Sequence, residues 1–384
     1  MDSATWSPRV KPGLQPIHPD QDLSAGGPLL TANDLQVLRE GLPVLHIDNF
    51  SVNAGEVMAV IGPNGAGKST LLLVLSRLLP IASGEILFLG RSITQYKDLE
   101  YRRHLALVLQ EPLLFDISVH DNVASGLRFR GESRKTIENR VDEWLARLGI
   151  AHLRDRPARK LSGGEAQRAS LARAFALEPE IILLDEPFGS LDAPTRARLL
   201  EDFQSLLSTT NITAILVTHD LDEALLLGDR VAVLLDGRVR QIGPPHRVFT
   251  EPADQDVAAF VGVEMVIPGR VTSSQNGRVI VEADGRQLEA VGDLSPGREV
   301  LFCLRPEDIT LSVEFSQIPS SARNRIPGRI VRMSPHGPLF HITLDAGIRL
   351  VALLTRASVE EMELEEGRLV TAAFKASAVH LIPR

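Results

Sequence analysis

A glycine-rich run that ends in a lysine and two hydroxyl residues has the composition of a phosphate-binding loop. Its members are Gly62, Pro63, Asn64, Gly65, Ala66, Gly67, Lys68, Ser69 and Thr70. Glycines let backbone N–H groups turn toward phosphate oxygens, and a following helix adds the partial positive charge of its N-terminus. Lys68 would reach the β- and γ-phosphates, and the Ser69 hydroxyl would bind Mg²⁺. The run predicts a site for a nucleoside triphosphate and its magnesium ion.

Two carboxylates follow the apolar run Ile181–Leu184 and supply the acid–base chemistry that such a site needs. Asp185 is predicted to hold Mg²⁺, and Glu186 to polarise the attacking water as a general base. His219 follows a second apolar run, at the position expected of a group that senses the γ-phosphate. Gln110 follows a third run, where its neutral amide would touch Mg²⁺ or the water.

The segment Leu161–Arg168 reads Leu-Ser-Gly-Gly-Glu-Ala-Gln-Arg and contains a second helix start that suits an anion. Ser162 has the type of a helix N-cap, and Glu165 follows three positions later, as in a capping box. Taken alone, this pattern describes an ordinary stable helix start. A capped start with two glycines, Gly163 and Gly164, is also an anion site. Because the chain already has a phosphate loop, we expect this second site to serve the nucleotide of a partner subunit.

Strand and helix patterns alternate around these motifs. Buried-strand runs lie at 57–61, 105–109, 181–184, 213–217 and 230–235. This alternation predicts an α/β domain with a largely parallel central sheet. The stretch from about 115 to 160 has helical periodicity without a strand run, which predicts a helical subdomain inserted into that core.

Short β-type runs alternate with glycine-containing turns from about residue 263 onward, which predicts small all-β barrel domains. A weak repeat, Pro268–Val271 against Pro327–Ile330, divides this region into β units at 263–315 and 316–384. Residues 1–30 are rich in Pro, Gly, Ser and Asp and are predicted to be a flexible tail. The α/β domain is therefore placed at 31–262.

Composition excludes several classes of protein. The chain has 384 residues, a formal net charge of −8 and one cysteine, Cys303. The acidic balance argues against nucleic-acid binding, and a single cysteine allows no intrachain disulfide. No run approaches the roughly 18 apolar residues that a membrane span needs, and we recognise no signal peptide. We therefore expect the chain to reach a membrane only through another protein.

The combined motifs resemble those of the ATP-binding cassette (ABC) ATPases. The motifs occur in that family's order: the phosphate loop, Gln110, Ser162-Gly163-Gly164, Asp185-Glu186, Ser190-Leu191-Asp192 and His219. The resemblance covers about residues 32–250. It implies ATP and Mg²⁺ as cofactors and a head-to-tail homodimer with two ATP molecules at the interface. Each ATP would lie between one chain's phosphate loop and the other's glycine pair, and Asp192 would reach across that interface.

The chain departs from the family at the adenine contact. ABC ATPases usually stack adenine on an aromatic side chain upstream of the phosphate loop. Between Ser7 and Asn49 this sequence contains no Phe, Tyr or Trp. Arg39 or His46 would have to substitute, and selectivity for the base would then be looser.

The C-terminal region resembles the TOBE-type domains of ABC importers, among which Leu304–Asp308 is a common type of motif. Ser321–Asn324, the run Ile326–Ile330 and the segment Phe374–Val379 resemble the small molybdate- and tungstate-binding (Mop-like) domain. The resemblance implies an oxyanion site, since hydroxyls and cations are the groups that hold a tetrahedral dianion. Its predicted residues are Ser321, Arg323, Asn324, Lys375 and Ser377. Alternatively, these residues stabilise a barrel corner and its dimer contact.

The resemblance implies the ATP-hydrolysing subunit of an importer, with molybdate or tungstate as the first candidate cargo. ATP-driven closure of the dimer would move separate permease subunits, which would dock in the groove near Gln110–Val119. The chain would lie peripherally on the cytoplasmic face of the inner membrane, with an extracytoplasmic substrate-binding protein as an indirect partner.

Three alternatives remain open from the sequence. The cargo would be sulfate, iron, a polyamine or a sugar if the TOBE domain is purely structural. A cytosolic ABC ATPase that acts on ribosomes or DNA is a second alternative, and an oxyanion sensor or store is a third. In a combined hypothesis, the C-terminal domains bind the imported anion and slow transport.

Overall fold

The structure, a computed structural model, describes residues 27–313 and 320–384. The chain divides into two compact units, one ending at Pro245 and the other running from His246 to Arg384. Most of the predicted tail, residues 1–26, lies outside the described residues. Its last three residues do not belong to a tail, because Pro28 begins the first strand and both Leu29 and Leu30 are buried in the core.

Ten strands of the described first unit form one sheet. They are β1 (Pro28–Arg39), β2 (Leu42–Asn53), β3 (Val57–Ile61), β4 (Ser83–Phe88), β5 (Arg91–Ser92), β6 (Leu105–Val108), β7 (Ile181–Asp185), β8 (Thr213–Thr218), β9 (Arg230–Leu235) and β10 (Arg238–Gly243). Their order is β5-β4-β1-β2-β10-β9-β3-β8-β7-β6. The block β9-β3-β8-β7-β6 is parallel and contains the five predicted strands. The remaining half is mostly antiparallel, so the sheet is mixed rather than largely parallel.

The antiparallel half escaped prediction because its first strand lacks a clean alternation. Asp34 in β1 adopts a left-handed backbone with φ 48. The pairing of β1 with β4 shifts register between Asn33 and Gln36. Such a bulge moves side chains to the opposite face and interrupts the period of two that marks a strand in sequence.

Seven helices belong to the described first unit. They are α1 (Lys68–Leu75), α2 (Asp98–Arg103), α3 (Val119–Phe129), α4 (Arg134–Arg147), α5 (Gly163–Phe175), α6 (Ala193–Thr209) and α7 (Leu221–Leu227). Ser118 and Ser133 cap α3 and α4 by accepting hydrogen bonds from the backbone N–H groups of Asp121 and Thr136. With two short 3₁₀ turns, α3 and α4 fill the stretch in which the sequence predicts a helical subdomain.

Core residues cover both faces of the sheet. Ile181 and Leu183 of β7 pack in the cluster that includes α1, whereas Ile182 and Leu184 pack in the cluster that includes α3 to α6. Successive side chains of a strand point to opposite faces, so one buried strand serves both layers. The result is an α/β core in which loops at the carboxyl ends of the parallel strands are free to form a site.

The second unit is all-β apart from three short helices, α8 (Pro245–Thr250), α9 (Gln255–Phe260) and α10 (Arg356–Glu361). Its strands are β11 (Met265–Gln275), β12 (Arg278–Ala283), β13 (Arg286–Val291), β14 (Glu299–Leu304), β15 (Thr310–Ser312), β16 (Asn324–His336), β17 (Leu339–Asp345), β18 (Arg349–Thr355), β19 (Leu369–Phe374) and β20 (His380–Pro383). They form two sheets, β13-β12-β11-β14-β20 and β15-β19-β16-β17-β18, over one core. The predicted fold class, an α/β core followed by all-β domains, is confirmed.

The two small sheets of the second unit exchange strands, and no local sequence pattern predicts this exchange. β15 follows β14 along the chain but pairs with β19, whereas β20 follows β19 and pairs with β14. The domain boundary predicted between residues 315 and 316 therefore does not separate the two sheets. Residues 314–319, which contain this boundary, lie outside the described residues. Segment 246–262, placed with the α/β domain from sequence, belongs to the second unit. Arg305 donates to the Phe249 carbonyl, and the His380 ring donates to the Pro252 carbonyl.

Candidate functional site

The loop after β3 joins the strand to α1 in the arrangement expected of a phosphate loop. Gly67 caps α1 in the left-handed region, with φ 100, immediately before Lys68. A Cβ atom on Gly62 would lie 2.1 Å from the Leu234 carbonyl oxygen, so no side chain fits there. Gly65 is also left-handed, with φ 84, and faces open space. The loop is packed against backbone at one end and open at its turn, where a ligand can approach the backbone.

Lys68 is a buried cation at the start of α1, only 5% exposed. Its ammonium group donates to the carbonyl oxygens of Gly62 at 2.9 Å and Pro63 at 3.1 Å. Glu186 Oε1 lies 3.7 Å from the Lys68 Nζ. Burial lowers the pKa of Lys68, and the nearby charges of Glu186 and Asp185 act in the opposite direction. A desolvated ammonium group that is held mainly by carbonyls is suited to bind an anionic oxygen.

A hydroxyl and a carboxylate lie side by side next to this lysine. The Ser69 hydroxyl donates to Asp185 Oδ1 at 3.0 Å, joining the first turn of α1 to the end of β7. Burial raises the pKa of Asp185, the hydrogen bond from Ser69 lowers it, and the charge of Glu186 raises it. Hydroxyl and carboxylate oxygens are ligands that Mg²⁺ accepts beside phosphate oxygens. These residues fit the predicted ion.

Glu186 is held between the lysine and a histidine. Its Oε2 atom lies 2.9 Å from His219 Nδ1. Its backbone is left-handed, with φ 44, and its N–H donates to the Val217 carbonyl at 2.9 Å. Gln110 belongs to the same cluster, because its side chain and that of Glu186 both lie next to Gly189. A Cβ atom added to Gly189 would be 3.5 Å from Glu186 Oε2 and 3.7 Å from Gln110 Nε2. The left-handed backbone of Glu186 is strained for a non-glycine residue, and such strain is typical of functional positions.

A charged network behind His219 escaped the sequence analysis. Arg196, on the first turns of α6, forms ion pairs with Asp220 and, at 3.0 Å, with Glu223 Oε1. Glu223 is 2% exposed, and burial raises its pKa. Asp220 also caps α7. The network ties the helix that begins after Asp192 to the residue next to His219. The cap is visible as Asp-x-x-Glu in sequence, but its partner on another helix is not.

The start of α5 has the capping box that the sequence predicts. The N–H of Ser162 donates to Glu165 Oε2 at 2.7 Å and the N–H of Glu165 donates to Ser162 Oγ at 3.4 Å, so the capping box is present. The first of these bonds lowers the pKa of Glu165. A Cβ atom on Gly164 would lie 2.5 Å from Thr195 Cγ2, so helix packing also requires a glycine here. Asp192 caps α6, and hydrogen bonds from Thr195 lower its pKa.

The predicted nucleotide residues therefore fall into two groups. The first group surrounds the phosphate loop and contains Lys68, Ser69, Gln110, Asp185, Glu186 and His219. The second group stands at the starts of α5 and α6 and contains Ser162, Gly163, Gly164 and Asp192. Each group is built by its own strand ends or helix starts.

Aliphatic residues of β2 meet the phosphate loop where an aromatic ring is usual. A Cβ atom on Gly67 would lie 3.0 Å from Leu45 Cδ1 and 3.2 Å from the Val44 carbonyl oxygen. His46, the next residue, has its Nε2 atom 2.9 Å from Asp48 Oδ1. His46 and Arg39 are the two residues predicted to replace the aromatic side chain at the adenine. His46 is adjacent in sequence to Leu45, which touches the loop, whereas Arg39 ends the preceding strand.

The groove segment, residues 111–118, follows Gln110 and borders a cavity of about 200 Å³. Residues that line this cavity are Pro112, Leu114, Phe115, Asp116, Ala158, Arg159 and Ala166. Leu113, Phe115 and Ile117 are large apolar residues of the segment that remain exposed. Clustered exposed apolar side chains indicate a surface that another protein covers.

Asn324 makes a structural contact within the C-terminal cluster. It is 4% exposed, and its Oδ1 accepts from the Glu289 N–H at 2.7 Å while its Nδ2 donates to the Glu289 carbonyl at 2.8 Å. The amide therefore fastens the start of β16 to β13 as a neighbouring strand would. Arg323 lies beside it, with Nε 3.8 Å from Glu289 Oε1.

The other predicted oxyanion residues lie near the same end of the second unit. Asn324 pairs with Phe374 across β16 and β19, which places Arg323 and Lys375 next to this register pair. Ser377 lies in the turn 376–378, which contacts β13. Four of the five are exposed: Ser321, Arg323, Lys375 and Ser377. The fold thus gathers the cluster, but only Asn324 is fixed by buried hydrogen bonds.

Residues 27–313 and 320–384 contain neither a helix suited to span a membrane nor a cluster of side chains suited to hold a metal ion. No helix in these ranges is long and apolar enough to cross a membrane. No group of three or more His, Cys, Asp or Glu side chains is arranged there to hold a metal ion. The single thiol, Cys303, is buried, and burial raises its pKa to about 12, which makes it unreactive.

Two known family profiles match the chain. The profile described as ABC transporter matches residues 45–189, which include the phosphate loop, Gln110 and Glu186. The profile of the TOBE domain matches residues 320–381, which include Arg323 and Lys375.

Similar proteins extend these matches over most of the chain. Molybdate/tungstate import ATP-binding protein WtpC of Pyrococcus abyssi is 39% identical over 333 residues, or 86% of this chain and 94% of the relative. Sulfate/thiosulfate import ATP-binding protein CysA of Nitrosomonas europaea is 36% identical over 330 residues, or 83% and 88%. The solved structure of cbiO1 from Clostridium perfringens, part of the ABC transporter complex cbiONQ, has a TM-score of 0.55 and 33% identity, covering 62% of this chain and 95% of that one.

Proposed function

Because this chain belongs to the ABC transporter family, as an ATP-binding subunit with a C-terminal TOBE domain, we propose that it closes on ATP as a homodimer and thereby drives a separate permease. As a member of that family it is an ATPase coupled to transport. The observation that carries the proposal is the cluster in which Glu186 lies between Lys68 and His219, beside the Ser69–Asp185 pair.

Each side chain of the cluster has a distinct role in the proposed hydrolysis. Lys68 binds the β- and γ-phosphate oxygens, which replace part of the carbonyl shell that it has without ligand. Ser69 and Asp185 hold Mg²⁺, which offsets negative charge on the phosphates. Glu186 accepts a proton from the water that attacks the γ-phosphorus, and His219 keeps this carboxylate oriented.

Dimerisation would complete the site. The start of α5, with Ser162 to Gly164, offers N–H groups and a helix dipole to an anion, yet the phosphate loop of the same chain already has its own helix start, at Lys68. In a head-to-tail dimer, each α5 start would face the ATP that is held by the other chain. Asp192, fixed as the cap of α6, would extend toward the same interface.

The groove segment supplies the proposed permease contact. Its residues Leu113, Phe115 and Ile117 are exposed, and Phe115 lines a cavity that a short amphipathic helix would fill. A permease docked there would hold the chain peripherally at the cytoplasmic face of the inner membrane. An extracytoplasmic substrate-binding protein would then be an indirect partner that delivers cargo to the permease.

Molybdate or tungstate is the proposed cargo. The similarity to the protein of Pyrococcus abyssi, which covers 86% of this chain, supports this choice, and the TOBE profile matches the region that contains Arg323 and Lys375. Two cations and the hydroxyls of Ser321 and Ser377 form a set of groups that would bind a tetrahedral dianion and slow transport when the anion is abundant. Sulfate is the second candidate, because a sulfate/thiosulfate import protein is 36% identical over a similar length.

The Glu186→Gln variant tests the ATP-driven dimer. The carboxamide keeps the shape of the side chain but cannot accept a proton, so hydrolysis should fall about 100-fold or more while ATP still binds. Light scattering with Mg-ATP should then show a stable dimer. The matched control is the double variant with Lys68→Ala, which should stay monomeric because the phosphates lose their cation. A Glu186→Gln chain that remains monomeric in saturating Mg-ATP would contradict the proposal.

A further inference from the structure

The first end of the groove segment is held by an arginine from α5. Arg173 donates through Nη1 to the Leu113 carbonyl and through Nη2 to the Pro112 carbonyl, both at 3.0 Å. One planar guanidinium thus binds two consecutive carbonyl oxygens through two different nitrogens. A lysine has three donors on one nitrogen of a flexible side chain, so it does not keep this rigid two-nitrogen geometry. Any movement of Arg173 is therefore transmitted directly to the backbone of the segment.

In the described part of the chain, Arg173 donates hydrogen bonds to backbone carbonyl oxygens and not to a carboxylate. Within residues 27–313 and 320–384, no ion pair of Arg173 with an acidic side chain is formed, and it is half-buried. Burial lowers its pKa, and no neighbouring charge opposes that effect. The two carbonyls are the groups that accept hydrogen bonds from Arg173; the bond to Pro112 is partly buried and the bond to Leu113 is exposed.

The carbonyls converge on Arg173 because the backbone turns sharply at Leu113. This leucine is left-handed, with φ 42, a conformation that is unfavourable for a side chain of its type. The Leu113 side chain is exposed. Arg173 therefore stabilises a strained backbone whose consequence is the presentation of an apolar residue to a partner.

The other end of the segment is fixed by a fully buried asparagine on α3. Asn122 Oδ1 accepts from the Phe115 N–H at 2.8 Å, and its Nδ2 donates to the carbonyls of Phe115 and Ser118 at 3.0 Å. The segment is therefore a short clamped strip and not a loose loop. Because hydrogen bonds hold the segment at both ends, a displacement of Arg173 should be transmitted along the backbone to Phe115.

Helix α5 connects this clamp to the proposed nucleotide contact. The helix begins at the capped glycine pair after Ser162, and Ala166 on its second turn lines the groove. Arg173 follows Ala166 by two helical turns, which is about 10.5 Å along the axis and on the same face. One continuous helix thus presents its start to a partner's nucleotide and grips the groove segment near its end.

We propose that Arg173 is a positioning residue that couples nucleotide-dependent movement of α5 to the groove segment. The proposal rests on the function proposed above, since it assumes that ATP closes the dimer over the start of α5. It adds that closure reaches the permease-facing surface through the Arg173 contact with Pro112 and Leu113. Gln110 directly precedes the segment and belongs to the nucleotide cluster of its own chain, so it is a second connection between nucleotide and segment.

The chain contains a matched control for this arginine. Arg130, at the end of α3, also donates to two backbone carbonyls, those of Leu177 at 3.0 Å and Arg103 at 2.7 Å. Burial lowers its pKa as it does for Arg173. Replacing either arginine by lysine removes a rigid two-nitrogen contact to two backbone carbonyls from a partly buried place, but only Arg173 of these two contacts the groove segment.

Hydrogen exchange of a peptide that spans residues 111–117 tests the coupling in the full chain. In the Glu186→Gln background, Mg-ATP should slow exchange of this peptide by about five-fold or more, which is the lower range of measured couplings between sites. Adding Arg173→Lys should leave the ATP-induced dimer intact by light scattering but remove most of the slowing. Adding Arg130→Lys instead should preserve it.

Different results contradict the two proposals. Failure of the Glu186→Gln chain to dimerise contradicts the proposed function, whatever the segment does. A dimer in which Arg173→Lys keeps the full exchange response overturns the coupling, as does an equal loss in the Arg130→Lys chain, which would mark a general loss of rigidity.

A second variant keeps the test decisive if Arg173→Lys weakens folding. Glycine adopts the left-handed conformation without strain, so Leu113→Gly removes the need for Arg173 to hold the turn. Combined with Arg173→Lys, it should restore the folded segment but not the ATP response, because the contact that links α5 to the segment is still missing. A double variant that folds as the Arg130→Lys chain does and also recovers the ATP-induced slowing of exchange would contradict the coupling role of Arg173.

Discussion

The nucleotide cluster and the C-terminal polar cluster are both sets of anion-binding residue types, but they differ in how their side chains are held. Lys68 is 5% exposed and has contacts to Gly62, Pro63 and Glu186. Arg323 is 70% exposed at its side chain, and its ion pair with Glu289 is long, at 3.8 Å. The first set is arranged before any ligand binds, whereas the second has to be ordered by the ligand or by another chain.

This difference separates catalysis from binding. A reaction gains from groups that are already fixed where charge develops, because no reorganisation is needed at that moment. A regulatory anion site needs only modest affinity, and exposed cations screened by water and salt are adequate for that purpose. The two clusters should therefore respond very differently when one cation is removed.

The largest effect is expected at Lys68. Lys68→Ala should reduce ATP hydrolysis about 100-fold or more, because a preorganised cation is lost from the phosphates. Phosphate release with Mg-ATP measures this loss. Lys135→Ala, at an exposed position on α4, is the control and should change the rate less than two-fold, in line with typical surface substitutions. Similar losses in both variants would remove the distinction between fixed and exposed cations.

A smaller effect is expected when two cations leave the C-terminal cluster. Arg323→Ala combined with Lys375→Ala should weaken binding of molybdate or tungstate about ten-fold or more, because charge-assisted contacts to the dianion are lost. Calorimetric titration with molybdate, tungstate and sulfate measures the affinity. Arg332→Ala with Arg349→Ala removes the same charge at other exposed positions and should change little. If the unaltered chain binds none of the three anions, the C-terminal cluster is structural.

Asn324 should affect folding rather than anion affinity. Asn324→Ala deletes the two hydrogen bonds to Glu289 and leaves partly buried backbone groups without these partners, at a cost of about 1–3 kcal/mol in the free energy of unfolding. Denaturant titration measures this change. Ser321→Ala, at an exposed neighbouring position, should leave the free energy within about 0.5 kcal/mol. An Asn324→Ala chain of unchanged stability would argue against its structural role.

The smallest effect is a pH dependence in the second unit. Burial lowers the pKa of His380 below its ordinary value of 6.5, so the unfolded chain takes up this proton at a higher pH than the folded chain. Acidification below pH 6.5 therefore favours unfolding, and the stability contribution returns as pH rises. The denaturant midpoint of the unaltered chain should fall between pH 7.5 and 5.5 by more than that of His380→Gln. Parallel midpoints would show that another group dominates.

Local sequence was sufficient for the parts of the nucleotide site that depend on neighbouring residues. The glycine pattern before Lys68 requires a strand, a turn and a helix in that order, and the structure has them. The Ser162–Glu165 capping box is likewise a contact over three positions, and its hydrogen bonds are present. Turn geometry, capping and strand hydrophobicity act over a few residues, so they leave a readable pattern.

Contacts over long separations were not readable. The pairing of Asn324 with the Glu289 backbone, for example, spans 35 positions, and the sequence favoured a ligand role for the same residue type. The grip of Arg173 on Leu113 spans 60 positions and looks like an ordinary helix-surface arginine in sequence. A side chain's type does not reveal which backbone the fold will bring to it.

The sequence by itself determined the residues of the phosphate loop, the two acids after β7, the class of each unit and the family to which the chain belongs. Only the tertiary structure decided the mixed sheet, the exchange of β15 and β20, and the partners of Arg173, Arg196 and Asn324. The reason is physical. Backbone turns and caps are satisfied locally, whereas strand order and buried polar partners are selected by which distant surfaces pack together to exclude water.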